Sequence, residues 1–181
     1  EGFRTYNRAT QMPMAPGSTI KPLSVYTPAL EAGYAVDAEV MDDDSLTYGD
    51  DAYSVSNYDR NSLYDTLPMY QAIAESKNTS AVWLLDKLGI QRGISKLEDF
   101  GISIGEADEN LGAIALGGMS KGVTPVQLAS AYTTFVNEGV RTQARFITKI
   151  VDATGAVIVD NTKPKTNRVT TAAVAEEMTS M

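Results

Sequence analysis

Pro22 narrows the folding options of this chain more than any other residue. A proline inside a helix removes an N–H donor and collides with the preceding turn, but the first N–H groups of a helix have no partner in any case. In the run Pro16-Gly17-Ser18-Thr19-Ile20-Lys21-Pro22 the proline comes one turn after Ser18, so a helix starts at or just before Ser18. Gly17 allows the tight turn into it. Residues three apart share a helix face, which sets Lys21 beside Ser18.

That pair matters chemically. A serine hydroxyl is a poor nucleophile until a base removes its proton. The chain has no histidine and no cysteine, so the base has to be a lysine or a carboxylate. Lys21 is placed to act as that base. Desolvation and the positive end of the helix dipole lower a lysine pKa toward a useful value, and free first-turn N–H groups can face a developing oxyanion. The plainer reading of the same residues is a serine N-cap followed by a surface lysine.

A second cluster, Ser76-Lys77-Asn78, follows the apolar, helix-like stretch 67–74 and precedes another at 81–88. Alternate residues of an extended loop point the same way, so the Ser76 hydroxyl and the Asn78 amide are presented together. The first can relay a proton and the second can hold a peptide carbonyl. A polar cap on the next helix is the alternative.

Together the clusters resemble the penicillin-binding proteins, serine transpeptidases whose signature elements are S-x-x-K, S-x-N and K-T-G. The resemblance extends to residues 6–11, to the segment 72–81, to Ala115-Leu116-Gly117-Gly118, to Gly122-Val123-Thr124-Pro125-Val126-Gln127-Leu128-Ala129 and to the stretch 132–139. The surrounding segments look most like those of the bifunctional, class A members. This implies an α+β fold, mainly helical in this stretch, of the penicillin-binding transpeptidase and serine β-lactamase-like type. It implies Ser18 as nucleophile, Lys21 as its base, Ser76 as proton relay and Asn78 as substrate-binding residue. The implied partners are a peptidoglycan stem peptide and β-lactam antibiotics, with no metal or organic cofactor. The implied location is the extracytoplasmic face of a bacterial membrane, with the parent's anchor outside these residues. The resemblance further implies that Ser18 Oγ and Lys21 Nζ approach hydrogen-bond distance, with Ser76 and Asn78 on the same side.

The chain departs from the family pattern in having no Lys-Thr-Gly or Lys-Ser-Gly. In the family that motif lies on a strand beyond a helix such as 170–181, and the first strands precede a segment such as 1–8. Residues 1–181 are therefore expected to form a single, incomplete transpeptidase domain. Alone it should acylate poorly, and its uncovered edges should favour a companion fragment or self-association. A D,D-carboxypeptidase or β-lactamase, a β-lactam sensor module, and a non-catalytic structural fragment are the competing readings.

Composition fits one domain: 43% of the 181 residues are apolar, enough for one sizeable core. The net charge of −8 argues against nucleic acid, which requires a basic surface. No apolar run has the length needed to span a bilayer. Ile94, Leu97 and Phe100 mark a helix ending at Gly101, and Thr124-Pro125-Val126-Gln127 has the form of a capping box with a first-turn proline. Residues 146–151 and 156–159 form a β-hairpin in this reading, 161–167 a surface connection, and Thr170 opens a last helix with Val174, Met178 and Met181 on one face. The acidic residues Asp42-Asp43-Asp44 and Asp50-Asp51 do not follow an EF-hand order and are read as a solvated loop. Trp83 is assigned to the core, while Tyr48, Tyr53, Tyr58, Tyr64 and Tyr70 pack the core, cover loops or line a groove.

Overall fold

The computed structural model describes residues 5–181; residues 1–4, the start of the segment read as following the family's first strands, lie outside them. After a short helix α1 (Arg8–Gln11), capped by the Asn7 side chain, the chain enters a helical run through the middle of the molecule. The run opens as a 3-10 turn (Gly17–Ile20), loosens into a π-helical segment (Pro22–Tyr26) and closes as α2 (Thr27–Glu31). Its prolines explain the changes of pitch. The Thr27 N–H returns to the Pro22 carbonyl, the wide i to i+5 bond of a π-helix, and the Thr27 hydroxyl joins it at 2.7 Å. Pro28 has no N–H to offer the Ser24 carbonyl. That carbonyl instead faces Gly93, where an added Cβ would stand 2.9 Å from it.

Ile20, Leu23, Val25, Tyr26 and Ala29 of this run are completely buried. Four helices surround them: α4 (Asn78–Leu88), α5 (Ile90–Asp99), α6 (Leu111–Leu116) and, against α2, α8 (Ala172–Ser180), on which α7 (Pro125–Val136) packs in turn. The Ser24 hydroxyl ties the run to α6 by donating to the Ile114 carbonyl at 2.6 Å. Among the described residues the strands pair only two by two, all antiparallel. β1 (Glu39–Asp42) pairs with β4 (Asp65–Pro68) in the register Glu39 to Pro68, and β2 (Thr47–Tyr48) with β3 (Tyr53–Ser54). β5 (Val140–Thr142) pairs with β8 (Thr166–Arg168), and β6 (Lys149–Val151) with β7 (Val157–Asp160). The α+β, mainly helical class expected from the sequence is the one found.

The local signals hold in most places. Thr124 and Gln127 form the reciprocal capping box at the start of α7, and the hairpin of residues 146–159 is β6 and β7. Three readings need correction. Leu67 and Pro68 belong to β4, because Pro68 is extended and the short helix α3 begins only at Met69 and ends at Ala74. The connection 161–167 ends in a strand, since Thr166 and Asn167 pair with β5. Trp83 is half-buried against the edge of the core and presents its ring to the Lys87 ammonium 5.9 Å away.

Large apolar side chains remain open on one side of the molecule. Val136 at the end of α7 is 80% exposed and Phe146 is 76% exposed. The Thr124 cap satisfies an N–H at the start of the helix that leads to Val136. Thr124→Ala should therefore cost about 1 kcal/mol. Urea unfolding should show a lower midpoint with an unchanged slope.

Candidate active site

Gly17, at φ +57°, makes the left-handed turn into the 3-10 segment. The Lys21 N–H bonds back to the Ser18 carbonyl. In a 3-10 turn residues three apart eclipse, so Lys21 is stacked directly over Ser18. Ser18 is exposed while Ile20 and Lys21 are buried, which leaves the serine at the surface of an otherwise enclosed turn. The Ser18 N–H is among the first-turn donors that lack an intrahelical acceptor.

Three contacts fix this turn from the opposite side. Gly117, left-handed at the end of α6, accepts a hydrogen bond from the Gly17 N–H at 3.2 Å. The two backbones are so close that a Cβ on Gly117 would lie 2.2 Å from the Gly17 carbonyl oxygen. Met14 and Val123 exchange both backbone hydrogen bonds, at 3.1 and 2.8 Å. From α7 the Tyr132 hydroxyl donates to the Thr19 carbonyl at 2.7 Å. The loop between Gly117 and Val123 is held by buried Asp108, whose carboxylate accepts from the Ser120 N–H, the Ser120 hydroxyl and the Lys121 N–H; these bonds keep its pKa below the usual carboxylate range. Gly117, Gly122 and Tyr132 of the family-like segments thus have a physical task, which is to hold the serine turn.

The second cluster sits where α3 ends. Ser76 N–H bonds to the Ile73 carbonyl at 3.0 Å and Lys77 N–H to the Ala72 carbonyl at 2.9 Å, the paired bonds of a Schellman motif. The left-handed position of that motif is usually glycine, yet here it is Ser76 at φ +55°. A non-glycine residue held there carries strain of about 1 kcal/mol or more. The strain places a hydroxyl and a carbonyl where glycine would offer only the carbonyl.

Both groups face Lys21. Lys21 Nζ lies 2.6 Å from the Ser76 carbonyl, 3.2 Å from Ser76 Oγ and 2.7 Å from Asn78 Oδ1. Its side chain is 1% exposed and no carboxylate pairs with it among the described residues. Burial alone brings its pKa down to about 8. A neutral amine keeps two N–H donors and gains one lone pair. The two donors suit the Ser76 carbonyl and Asn78 Oδ1, which leaves the lone pair for a hydroxyl proton.

The structure brings Lys21, Ser76 and Asn78 together as expected from the sequence. It departs from the expectation at Ser18, whose hydroxyl makes no hydrogen bond with Lys21 Nζ among the described residues. The reason is stoichiometric: the three donors of the ammonium already have three acceptors.

The larger correction falls on one residue of the acidic loop, since Asp44, Asp50 and Asp51 are exposed as expected and Asp43 is half-buried. Asp42 is completely buried, not solvated. Its Oδ1 accepts from Asn57 Nδ2 at 2.6 Å and from the Thr79 hydroxyl, and its Oδ2 accepts from the Tyr64 N–H at 3.1 Å. Lys77 Nζ stands 3.5 Å from Oδ2, 3.3 Å from Glu75 Oε2 and 4.5 Å from the centre of the Tyr64 ring. Asn57 Oδ1 in turn accepts from the Asn78 N–H at 2.8 Å and the Thr79 N–H at 3.3 Å, which caps α4. Sequence reasoning missed Asp42 and Asn57 because each lies far along the chain from the loop it supports. No group of acidic residues among those described has the arrangement of a metal site.

The Gly17–Gly117 contact can be tested by stability. Gly117→Ala puts alanine in the left-handed region and forces a Cβ into the Gly17 backbone, so a loss of about 2 kcal/mol or more is expected from strain and overpacking together. Neighbouring Gly118 is exposed, has no positive φ and has open space around it. Gly118→Ala should stay within about 0.5 kcal/mol of the parent chain by denaturant unfolding.

Comparison with known proteins gives the family. Residues 2–181 match the family model described as penicillin binding protein transpeptidase domain. Penicillin-binding protein 2a of Streptococcus pneumoniae is 43% identical over 180 residues, covering 99% of this chain and 24% of that protein. Penicillin-binding protein 1F of Bacillus subtilis is 42% identical over 177 residues, covering 97% of this chain and again 24% of the relative. The chain therefore spans about a quarter of the length of these relatives. Among solved structures, the penicillin-binding protein PonA1 of Mycobacterium tuberculosis superposes with a TM-score of 0.79 at 27% identity, over 97% of this chain and 47% of that one. The imipenem acyl-enzyme complex of penicillin-binding protein A from M. tuberculosis gives 0.84 at 22% identity, over 97% and 44% respectively, a likeness of fold. With motif, fold and relatives in agreement, this chain belongs to the penicillin-binding protein transpeptidase domain family.

Proposed function

We propose that this chain carries the acylating site of a peptidoglycan D,D-transpeptidase. The observation that supports it most is the Lys21 amine, buried without a counter-ion among the described residues one helical turn from an exposed serine. In this reading the neutral Lys21 amine takes the Ser18 hydroxyl proton as Oγ attacks the carbonyl carbon between the two D-alanines that end a stem peptide. The tetrahedral intermediate places its negative oxygen toward the Ser18 N–H. Ser76 Oγ passes a proton to the departing nitrogen, the C–N bond breaks, D-alanine leaves and an ester to Ser18 remains. An amine of a second stem peptide then attacks the ester and returns the serine. Asn78 holds the donor's carbonyl with the second hydrogen of Nδ2, the first being given to the Ser56 carbonyl.

A β-lactam presents the same kind of amide in a ring, so its opening leaves the same ester on Ser18. Ser18 reaches Lys21 on substrate binding, as catalytic hydrogen bonds commonly tighten only in the complex. The segments around the motifs favour a bifunctional, class A parent that is membrane-anchored and works outside the cytoplasm; no helix among the described residues is long and apolar enough to cross a membrane. Residues 1–181 are read as an incomplete domain, with the exposed Val136 and Phe146 side covered by other chain segments or by a companion.

Four outcomes are expected. In the full-length protein, Ser18→Ala should abolish covalent labelling by a fluorescent penicillin with the fold retained, and normal labelling would reject Ser18 as nucleophile. Lys21→Ala should slow acylation by about 10² to 10⁴, the range of general acid–base catalysis. Because the base is the deprotonated amine, the acylation rate should climb as pH rises and reach half its plateau near the Lys21 pKa of about 8. The isolated 181-residue chain has no Lys-Thr-Gly. In the family the second oxyanion N–H comes from the strand of that motif, so with this donor lacking the chain alone should acylate about 10² to 10³ more slowly than the full-length protein, measured with a chromogenic β-lactam.

A further inference from the structure

Four consecutive residues, Ser76 to Thr79, divide their side chains between two buried polar centres. Ser76 and Asn78 face Lys21, whereas Lys77 and Thr79 face Asp42. The loop between the clusters is therefore clamped from behind. Asn57 is the hinge of that clamp. It is 5% exposed, and its amide fits only one way round: Nδ2 must meet the Asp42 carboxylate at 2.6 Å, and Oδ1 must meet the N–H groups of Asn78 and Thr79. The preceding residue, Ser56, offers its carbonyl to Asn78 Nδ2 at 3.1 Å. One short segment thus fixes the backbone of Asn78 through Asn57 and its side chain through Ser56. With Nδ2 committed, Asn78 Oδ1 has to point at Lys21 Nζ.

We propose that Asn57, locked by Asp42, is a positioning residue for acyl transfer, setting the Asn78 amide and through it the place of the Lys21 amine beside Ser18. The inference rests on the acylation reading given above. Removing the Asn57 amide frees two N–H donors and leaves the Asp42 carboxylate one donor short, so the loop loses its reference point while Ser18 and Lys21 remain in sequence. A displacement of about 1 Å at a reacting group is enough to cost about 10² in rate.

The test separates positioning from mere stability by exchanging the pair. In the full-length protein, Asn57→Asp sets two carboxylates against each other and should slow acylation by a fluorescent penicillin about 10²-fold. In the double variant Asp42→Asn with Asn57→Asp, the amide now at position 42 donates through its nitrogen to the new carboxylate and accepts from the Tyr64 N–H through its oxygen. The carboxylate at position 57 accepts from the Asn78 and Thr79 N–H groups, where a negative charge at a helix start is favourable. The exchanged variant should recover to within about 5-fold of the parent, a rescue of at least about tenfold over the single variant, with rates normalised to the folded fraction from circular dichroism. An Asn57→Asp protein that acylates at the parent rate overturns the proposal. So does an exchanged variant that is unfolded, or one that is folded and no faster than the single variant. Ser18→Ala in the same assay keeps the two claims apart: if it still labels, the acylation reading fails. If it does not label while both Asn57 variants react normally, only the positioning role fails.

Discussion

Burial of the Lys21 ammonium among neutral acceptors is the interaction on which the rest of this molecule turns. It joins the start of the central helical run to a loop more than fifty residues later, at 2.6 Å to the Ser76 carbonyl and 2.7 Å to Asn78 Oδ1. A lysine is rarely fully buried, because its charge gives up hydration that only partners can replace. Three oxygen acceptors compensate here in hydrogen bonds but not in charge. The result is an amine whose pKa falls to about 8, within reach of deprotonation under mild conditions. The same enclosure that strains the folded state therefore supplies the chemistry.

The scaffold around that amine is rigid for identifiable reasons. On one side the serine turn is held by backbone against backbone, with no side chain between Gly17 and Gly117, so there is little slack to take up a displacement. On the other, a Schellman motif fixes Ser76 in a left-handed conformation that serine tolerates poorly. Strain of this kind persists only where the surroundings over-determine it. Lys21, Ile73 and Ala72 do so here through bonds to the Ser76 and Lys77 backbone. The apolar core of α4, α5 and α6 around the helical run provides the stability against which these local costs are set.

Much of this was legible in the sequence, and the boundary of legibility has a physical cause. Pro22 announced a helix start, and Thr124 to Gln127 announced another, because caps and prolines act within one turn of chain. The changes from 3-10 to π to α pitch were not readable, since they depend on where the displaced carbonyls of Pro22 and Ser24 find new neighbours. Ser76 and Asn78 could be paired from their alternation along one loop. Asp42 could not, because an aspartate in an acidic run looks solvated until Asn57, Thr79 and Lys77 are known to close over it. The hydrogen bond from Tyr132 to Thr19 spans more than a hundred residues and has no local signal at all.

The two lysines of the site are buried against different partners. Lys77 is buried nearly as deeply as Lys21, 3% against 1% exposed. Yet it stands beside two carboxylates, Asp42 and Glu75, and over the Tyr64 ring, so its positive charge is compensated by charge. Among the described residues Lys21 Nζ has only two carbonyl oxygens and one hydroxyl as partners. Burial without a counter-ion favours giving the proton up, which is the case of Lys21. Asp42 and Glu75 thus offset the Lys77 charge on one face of the loop, and the Lys21 amine on the other face has no such charge beside it among the described residues. Selection between chemically identical side chains one loop apart is made by what each is buried against.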